Sequence, residues 1–149
     1  MTEFQRRASA VWSGDLKGGA GKTSADSGAF EGLDVTFATR FTNKRNKGRT
    51  NPEEFIAAAH SSCFNMALSD GLSQAGNVPD KLETNATVTL TEIEGGFRVS
   101  RIHLDVVGTV PGIDEEAFVE AAKVARDNCP MSKLLTPGVD EVTLEARLS

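Results

Sequence analysis

The segment running from Thr50 and Asn51 through Leu68 limits the fold more than any other part of the chain. Thr50 or Asn51 suits a helix N-cap, Pro52 fits the first turn, and Glu53 and Glu54 complement the positive end of a helix. The spacing predicts a helix from Pro52 that stops near Gly76. Phe55, Ile56, Ala57, Ala58, Ala59, Cys63, Phe64, Met66, Ala67 and Leu68 distribute apolar side chains round most of its circumference. A chain of 149 residues can build one compact unit, taken as a single domain over 1–149. One small layer of sheet is hard pressed to cover such a helix, so dimerisation through it is the expected remedy.

The rest of the chain supplies mostly strands. Leu82–Ile93 and Phe97–Val110 are rich in Val, Ile and Thr and are joined by Glu94-Gly95-Gly96, the signature of a tight hairpin. Alternation turns Val88, Leu90, Ile102, Leu104 and Val106 inward and puts His103 and Asp105 on the opposite face. Asp114 caps an amphipathic helix over Phe118–Arg126, a shorter helix follows Cys129-Pro130, and Glu141–Leu148 alternates as a final strand. Upstream, Phe4–Trp12 suits an edge strand ended by Ser13-Gly14-Asp15, and Ala29–Phe41 carries two short strand signals, with Arg40 closing the second. The predicted class is α+β, with a largely antiparallel six-stranded sheet packed with two main helices.

Composition removes several functions. A formal charge of −5 opposes nucleic-acid binding, and the one basic run, Lys44, Arg45, Lys47 and Arg49, reads as a solvated loop without an aromatic for base stacking. Gly21-Lys22-Thr23 in a glycine-rich loop imitates the end of a phosphate loop, yet the glycine required five positions earlier is Leu16. The N-terminal MTEFQRRASAVW lacks the apolar core of a secretory signal, and no run is long enough to span a membrane, so the expectation is a cytoplasmic protein. In that reducing setting two cysteines are spectators or redox catalysts.

Cys63 lies in the apolar helix behind His60, Ser61 and Ser62, and reads either as packing or as a thiol beside a polar patch. Cys129 falls between a helix end and the next helix start, where backbone N–H groups favour a thiolate, so the residues alone make it the first candidate for the reactive sulfur. Their separation excludes a local C-x-x-C pair. His60 and His103 could join the cysteines around zinc, but none of the usual ligand spacings is present, and no metal is expected. Phe37, Phe55, Phe64 and Met131 are candidates for an apolar substrate pocket, each also readable as core.

Asn51-Pro52-Glu53-Glu54-Phe55-Ile56-Ala57-Ala58-Ala59-His60-Ser61-Ser62-Cys63-Phe64 and Cys129-Pro130-Met131-Ser132, with Thr39-Arg40-Phe41 and Val110-Pro111-Gly112-Ile113-Asp114, resemble the osmotically inducible protein C and organic hydroperoxide resistance (OsmC/Ohr) superfamily over essentially the whole chain, the OsmC branch more closely. The resemblance implies an intertwined homodimer and a peroxidase that needs no cofactor. It assigns Cys63 as the thiol attacking organic hydroperoxides, and hydrogen peroxide less well. It makes Cys129 the resolving partner in a Cys63–Cys129 disulfide, with a dithiol, such as that of a lipoylated protein, as reductant. This reverses the order suggested by the helix-start argument. It further implies an activating arginine held by a glutamate, here Arg40 and Glu53. The ten-residue separation of Glu53 and Cys63 is about 15 Å of helix, beyond direct contact within one straight helix, so a shared site is expected to bring Glu53 of one chain to Cys63 of a second, with Arg40 bridging them. The competing reading is a non-catalytic dimeric binding protein for apolar small molecules, with structural cysteines.

Overall fold

A computed structural model describes residues 1–42 and 47–149. Lys44 and Arg45 of the basic run fall outside the described residues, while Lys47 occupies a turn and Arg49 a short strand. The chain divides into two compact units, residues 1–55 and 56–149.

The first unit holds β1 (Ala8–Ser13), β2 (Ala20–Ala25), β3 (Leu33–Thr36), α1 (Phe37–Phe41), β4 (Arg49–Thr50) and the start of α2 (Pro52–Gln74). Its sheet runs β1-β2-β3-β4, antiparallel except for the β3–β4 pair. Gly21, Lys22 and Thr23 belong to strand β2 and not to the loop assigned from sequence. Gly21 stands opposite Trp12, and a Cβ there would meet the indole ring at 2.8 Å. The glycine therefore serves a close cross-strand approach, and Lys22 is committed to an ion pair with Asp34 at 2.7 Å.

The second strand signal in Ala29–Phe41 is a helix. Thr36 and Thr39 form a reciprocal capping box, with Thr39 N–H donating to Thr36 Oγ1 at 3.2 Å and Thr36 N–H to Thr39 Oγ1 at 2.9 Å. Their β-branched side chains suggested a strand, but a three-residue spacing lets them satisfy the helix-end N–H groups instead. Arg40 accordingly projects from α1 and does not close a strand.

The second unit contains most of α2, then β5 (Lys81–Ile93), β6 (Gly96–Thr109), α3 (Glu115–Asn128), α4 (Pro130–Leu135), a single 3-10 turn (Thr136–Gly138) and β7 (Glu141–Leu148). The β5–β6 hairpin turns at Gly95, whose φ of 86° favours glycine. β7 pairs with β6 in parallel, from Arg101 opposite Glu141 to Gly108 opposite Leu148. Among the described residues six strands have four or more residues and β4 has two, but they form two sheets of four and three strands where the sequence suggested one sheet of six. Two internal sheets satisfy the same strand periodicities, so alternation alone does not distinguish these arrangements. The α+β class and the two main helices, α2 and α3, stand.

Ile102, Leu104 and Val106 are fully buried, whereas Val88 and Leu90 are half-buried across a register shift between Thr89 and Leu90. His103 faces the other way and pairs with Thr143. On α2 the buried stripe is His60, Phe64, Leu68 and Leu72, one residue per helical turn, packed against Leu104, Val106 and Phe118. Gly108 admits the Phe118 ring, which a Cβ would strike at 2.5 Å. Met66 on the same helix remains 74% exposed, so the chain covers only part of the helix's apolar circumference.

Candidate active site

In the first unit, Arg40 on α1 meets Glu53 in the first turn of α2. The guanidinium donates from Nε and Nη2 to Glu53 Oε1 at 3.1 and 3.0 Å. Glu53 is buried while the Arg40 side chain is 37% exposed, so the carboxylate is fixed in place and the guanidinium remains accessible. The start of α2 is tied down by two more bonds: Glu54 N–H donates to Asn51 Oδ1 at 2.9 Å, and Asn51 Nδ2 donates to Thr39 O at 3.2 Å. Asn51, one of the two capping candidates in the sequence, thus also links the glutamate's helix to the arginine's.

Arg40 borders a hollow of about 400 Å³ lined by Trp12, Leu16, Val35, Thr36, Phe37, Phe41 and Pro52. Of the four residues suggested for an apolar pocket, only Phe37 lines it. Phe55 packs on Phe30 with ring centroids 5.2 Å apart, Met131 packs half-buried against the second unit's core, and Phe64 is fully buried within that core. Phe64 is therefore a packing residue in this structure, held by the same helical stripe as Leu68. Trp12, Leu16 and Phe41 were not singled out from the sequence. The glycine-rich turn after Trp12, which lets the chain fold back beneath the indole, was the available signal.

In the second unit, Cys63 and Cys129 come within hydrogen-bonding reach of one another as free thiols, Cys63 half-buried and Cys129 fully buried. Cys129 caps the start of α4, and its N–H donates back to Ala125 O at the end of α3 at 2.8 Å. That is the helix-to-helix junction expected from the sequence. The helix-start N–H of Met131, however, is directed to the Cys63 sulfur. Burial pushes the Cys63 thiol above its ordinary value, the neighbouring Cys129 raises it further, and the Met131 N–H opposes both.

His60, one turn before Cys63, is fully buried with Nε2 2.7 Å from Ser132 Oγ. Among the described residues its Nδ1 has no hydrogen-bond partner, and burial lowers its pKa. Ser132 was quoted in the sequence motif without a role, and nothing in the sequence announced the pair. Among the described residues no group of three or more His, Cys, Asp or Glu side chains is placed to hold a metal ion, and no helix is long and apolar enough to cross a membrane.

The family described as OsmC-like protein matches residues 44–144, a span that includes α2, the hairpin and both cysteines. Peroxiredoxin OsmC of Escherichia coli is 39% identical over 145 residues, covering 97% of each chain. Organic hydroperoxide resistance protein OhrA of Bacillus subtilis is 31% identical over 76% of this chain and 78% of its own length. Among solved structures, the organic hydroperoxide resistance protein OhrB of Bacillus subtilis superposes with a TM-score of 0.72 at 27% identity, covering 95% of this chain and 98% of that one. With sequence agreement running almost from end to end and the backbone following the same course, the chain belongs to the OsmC-like family.

Proposed function

We propose that this protein is a homodimeric, thiol-dependent peroxidase that reduces organic hydroperoxides to alcohols, and hydrogen peroxide less efficiently to water. The observation that carries this reading is the meeting of two free thiols from distant parts of the chain, Cys63 and Cys129. The names of the relatives, a peroxiredoxin and organic hydroperoxide resistance proteins, support the same chemistry.

In the proposed cycle the Cys63 thiolate attacks one oxygen of the O–O bond. That bond breaks, the leaving alkoxide takes a proton to become the alcohol, and Cys63 becomes a sulfenic acid. Cys129 then attacks the sulfenic sulfur. An S–S bond forms, the S–O bond breaks, and the Cys129 proton leaves with the hydroxyl as water. An external dithiol reduces the disulfide by exchange and leaves as its own disulfide. No cofactor enters any step.

Burial pushes the Cys63 thiol above its ordinary value, so a cation beside it is needed to favour the thiolate. Arg40, held by Glu53, supplies it in this reading, and the same guanidinium stabilises the alkoxide as the O–O bond breaks. The Arg40–Glu53 pair of each subunit serves the thiol of its partner, giving two sites per homodimer. The apolar hollow beside Arg40 is suited to the organic group of the substrate.

Cys63→Ser should abolish consumption of cumene hydroperoxide in the presence of a dithiol, and parental turnover in that variant would remove Cys63 as the nucleophile. Cys129→Ser should undergo one rapid oxidation and then recycle slowly or not at all. In the parent, stoichiometric peroxide should consume both thiols of a chain and form an intramolecular disulfide. A non-catalytic binding protein would keep both.

A further inference from the structure

Two pairs of side chains join α2 to the start of α4, and they are in register. Cys63 meets Cys129, and His60, three residues earlier on α2, meets Ser132, three residues later in the α4 segment. Residues three apart on a helix share a face, so the His60–Ser132 and Cys63–Cys129 contacts are neighbouring rungs between the same two elements. α4 has only six residues, too few to be stable by its own hydrogen bonds, so its position depends on what anchors it.

His60 and Ser132 form a polar anchor in apolar surroundings. Both are buried, His60 completely, and their 2.7 Å bond joins residues distant in the chain. The partnerless Nδ1 makes Ser132 the sole hydrogen-bond partner of the imidazole among the described residues. An orphaned buried acceptor is tolerated better than an orphaned buried N–H. This assigns the proton to Nε2, donating to Ser132 Oγ, and leaves Nδ1 as a bare acceptor. Such a bond resists rearrangement, because breaking it would leave both nitrogens of a fully buried imidazole without partners.

We propose that His60 and Ser132 are positioning residues for the resolving step, clamping the first turn of α4 so that Cys129 stays in reach of Cys63 after its oxidation. The inference rests on the two-cysteine peroxidase reading. Disulfide closure requires the Cys129 sulfur to approach the sulfenic sulfur as water departs, and it competes with attack by a second peroxide that carries Cys63 on to a sulfinic acid. Small losses of alignment slow such an intramolecular step strongly, whereas the first oxidation depends mainly on the ionisation of Cys63.

The test compares Ser132→Ala, His60→Leu and His60→Gln with the parent. Two rates are followed separately: loss of the first equivalent of cumene hydroperoxide, and disulfide closure by rapid acid quench and thiol mapping. Circular dichroism establishes that each variant is folded. In Ser132→Ala, closure should slow roughly tenfold more than the first oxidation, and excess peroxide should leave sulfinic acid on Cys63. His60→Leu should behave alike, while His60→Gln, whose amide can still donate to Ser132, should restore closure. If only one of the two clamp-breaking variants folds, that one decides. Equal slowing of both steps, or closure at the parental rate in a folded clamp-breaking variant, overturns the clamp. Failure of the parent itself to form the Cys63–Cys129 disulfide overturns the peroxidase reading and the clamp with it, and is visible before any variant is made.

Discussion

At the scale of single residues, the chemistry depends on how burial sets ionisation. Burial above all, and then the neighbouring Cys129, push the Cys63 thiol up, so if Arg40 is the activating cation as proposed, the protein without it should react with peroxide mainly as alkali removes the thiol proton. Arg40→Ala should therefore slow peroxide-driven thiol loss by about 10²–10³-fold at neutral pH and should regain rate as pH rises, while the parent stays comparatively flat. A parallel pH profile in the two proteins would dissociate Arg40 from the thiolate. His60 acts on stability in the opposite direction. Its folded pKa is lowered, so the unfolded chain binds more protons in acid, and the stabilising effect of the neutral ring is full above the unfolded value of about 6.5. It is lost as pH falls below that value and through the lower folded one. Urea midpoints measured downward from neutrality should decline in the parent and decline less in His60→Gln. Arg40, Glu53, Cys63 and Cys129 were nominated from motif resemblance, whereas the buried His60–Ser132 bond was not, since no local pattern links residues so far apart.

At the scale of elements, local hydrogen bonds decided the segment from Thr36 to Phe41, read from sequence as a strand. Thr36 and Thr39 carry strand-type side chains, yet their reciprocal bonds start a helix and thereby set the direction of Arg40. Thr36→Ala should cost about 1 kcal/mol in a denaturation curve and lower the peroxidase rate in parallel, because the α1 start is loosened. The hairpin was readable because its period of two and its glycine turn are both local. The β6–β7 parallel pairing was not, because α3, α4 and a 3-10 turn intervene between the strands. Gly108 shows how such packing constrains a residue: a methyl group there would press on the Phe118 ring, and Gly108→Ala should destabilise the protein by about 1–3 kcal/mol in thermal or urea unfolding.

For the whole molecule, the proposed homodimer makes a claim that single-chain measurements do not reach. At neutral pH, Cys63→Ser homodimers should be inactive and Arg40→Ala homodimers slowed by about 10²–10³-fold. Mixed and allowed to exchange subunits, they should recover activity, since in a mixed dimer the intact Cys63 of one chain receives the intact Arg40 of the other. A mixture that exchanges subunits and stays inactive would place the arginine and the thiol of each site on the same chain. The exposed Met66 on an otherwise apolar helix fits a second subunit covering the remaining circumference, and sedimentation should give twice the mass of one chain.

The amino-acid sequence by itself determined the start and length of α2, the β5–β6 hairpin, the Asp114 cap and existence of α3, and the junction at Cys129. Each is governed by interactions among residues a few positions apart, which leave their period and their turn chemistry in the order of the chain. Only the tertiary structure decided that Cys63 reaches Cys129, that His60 locks to Ser132, that Arg40 springs from a helix to meet Glu53, and that the strands divide into two sheets. Those outcomes depend on which distant surfaces fit and exclude water together, and nearest-neighbour pattern carries no record of that choice.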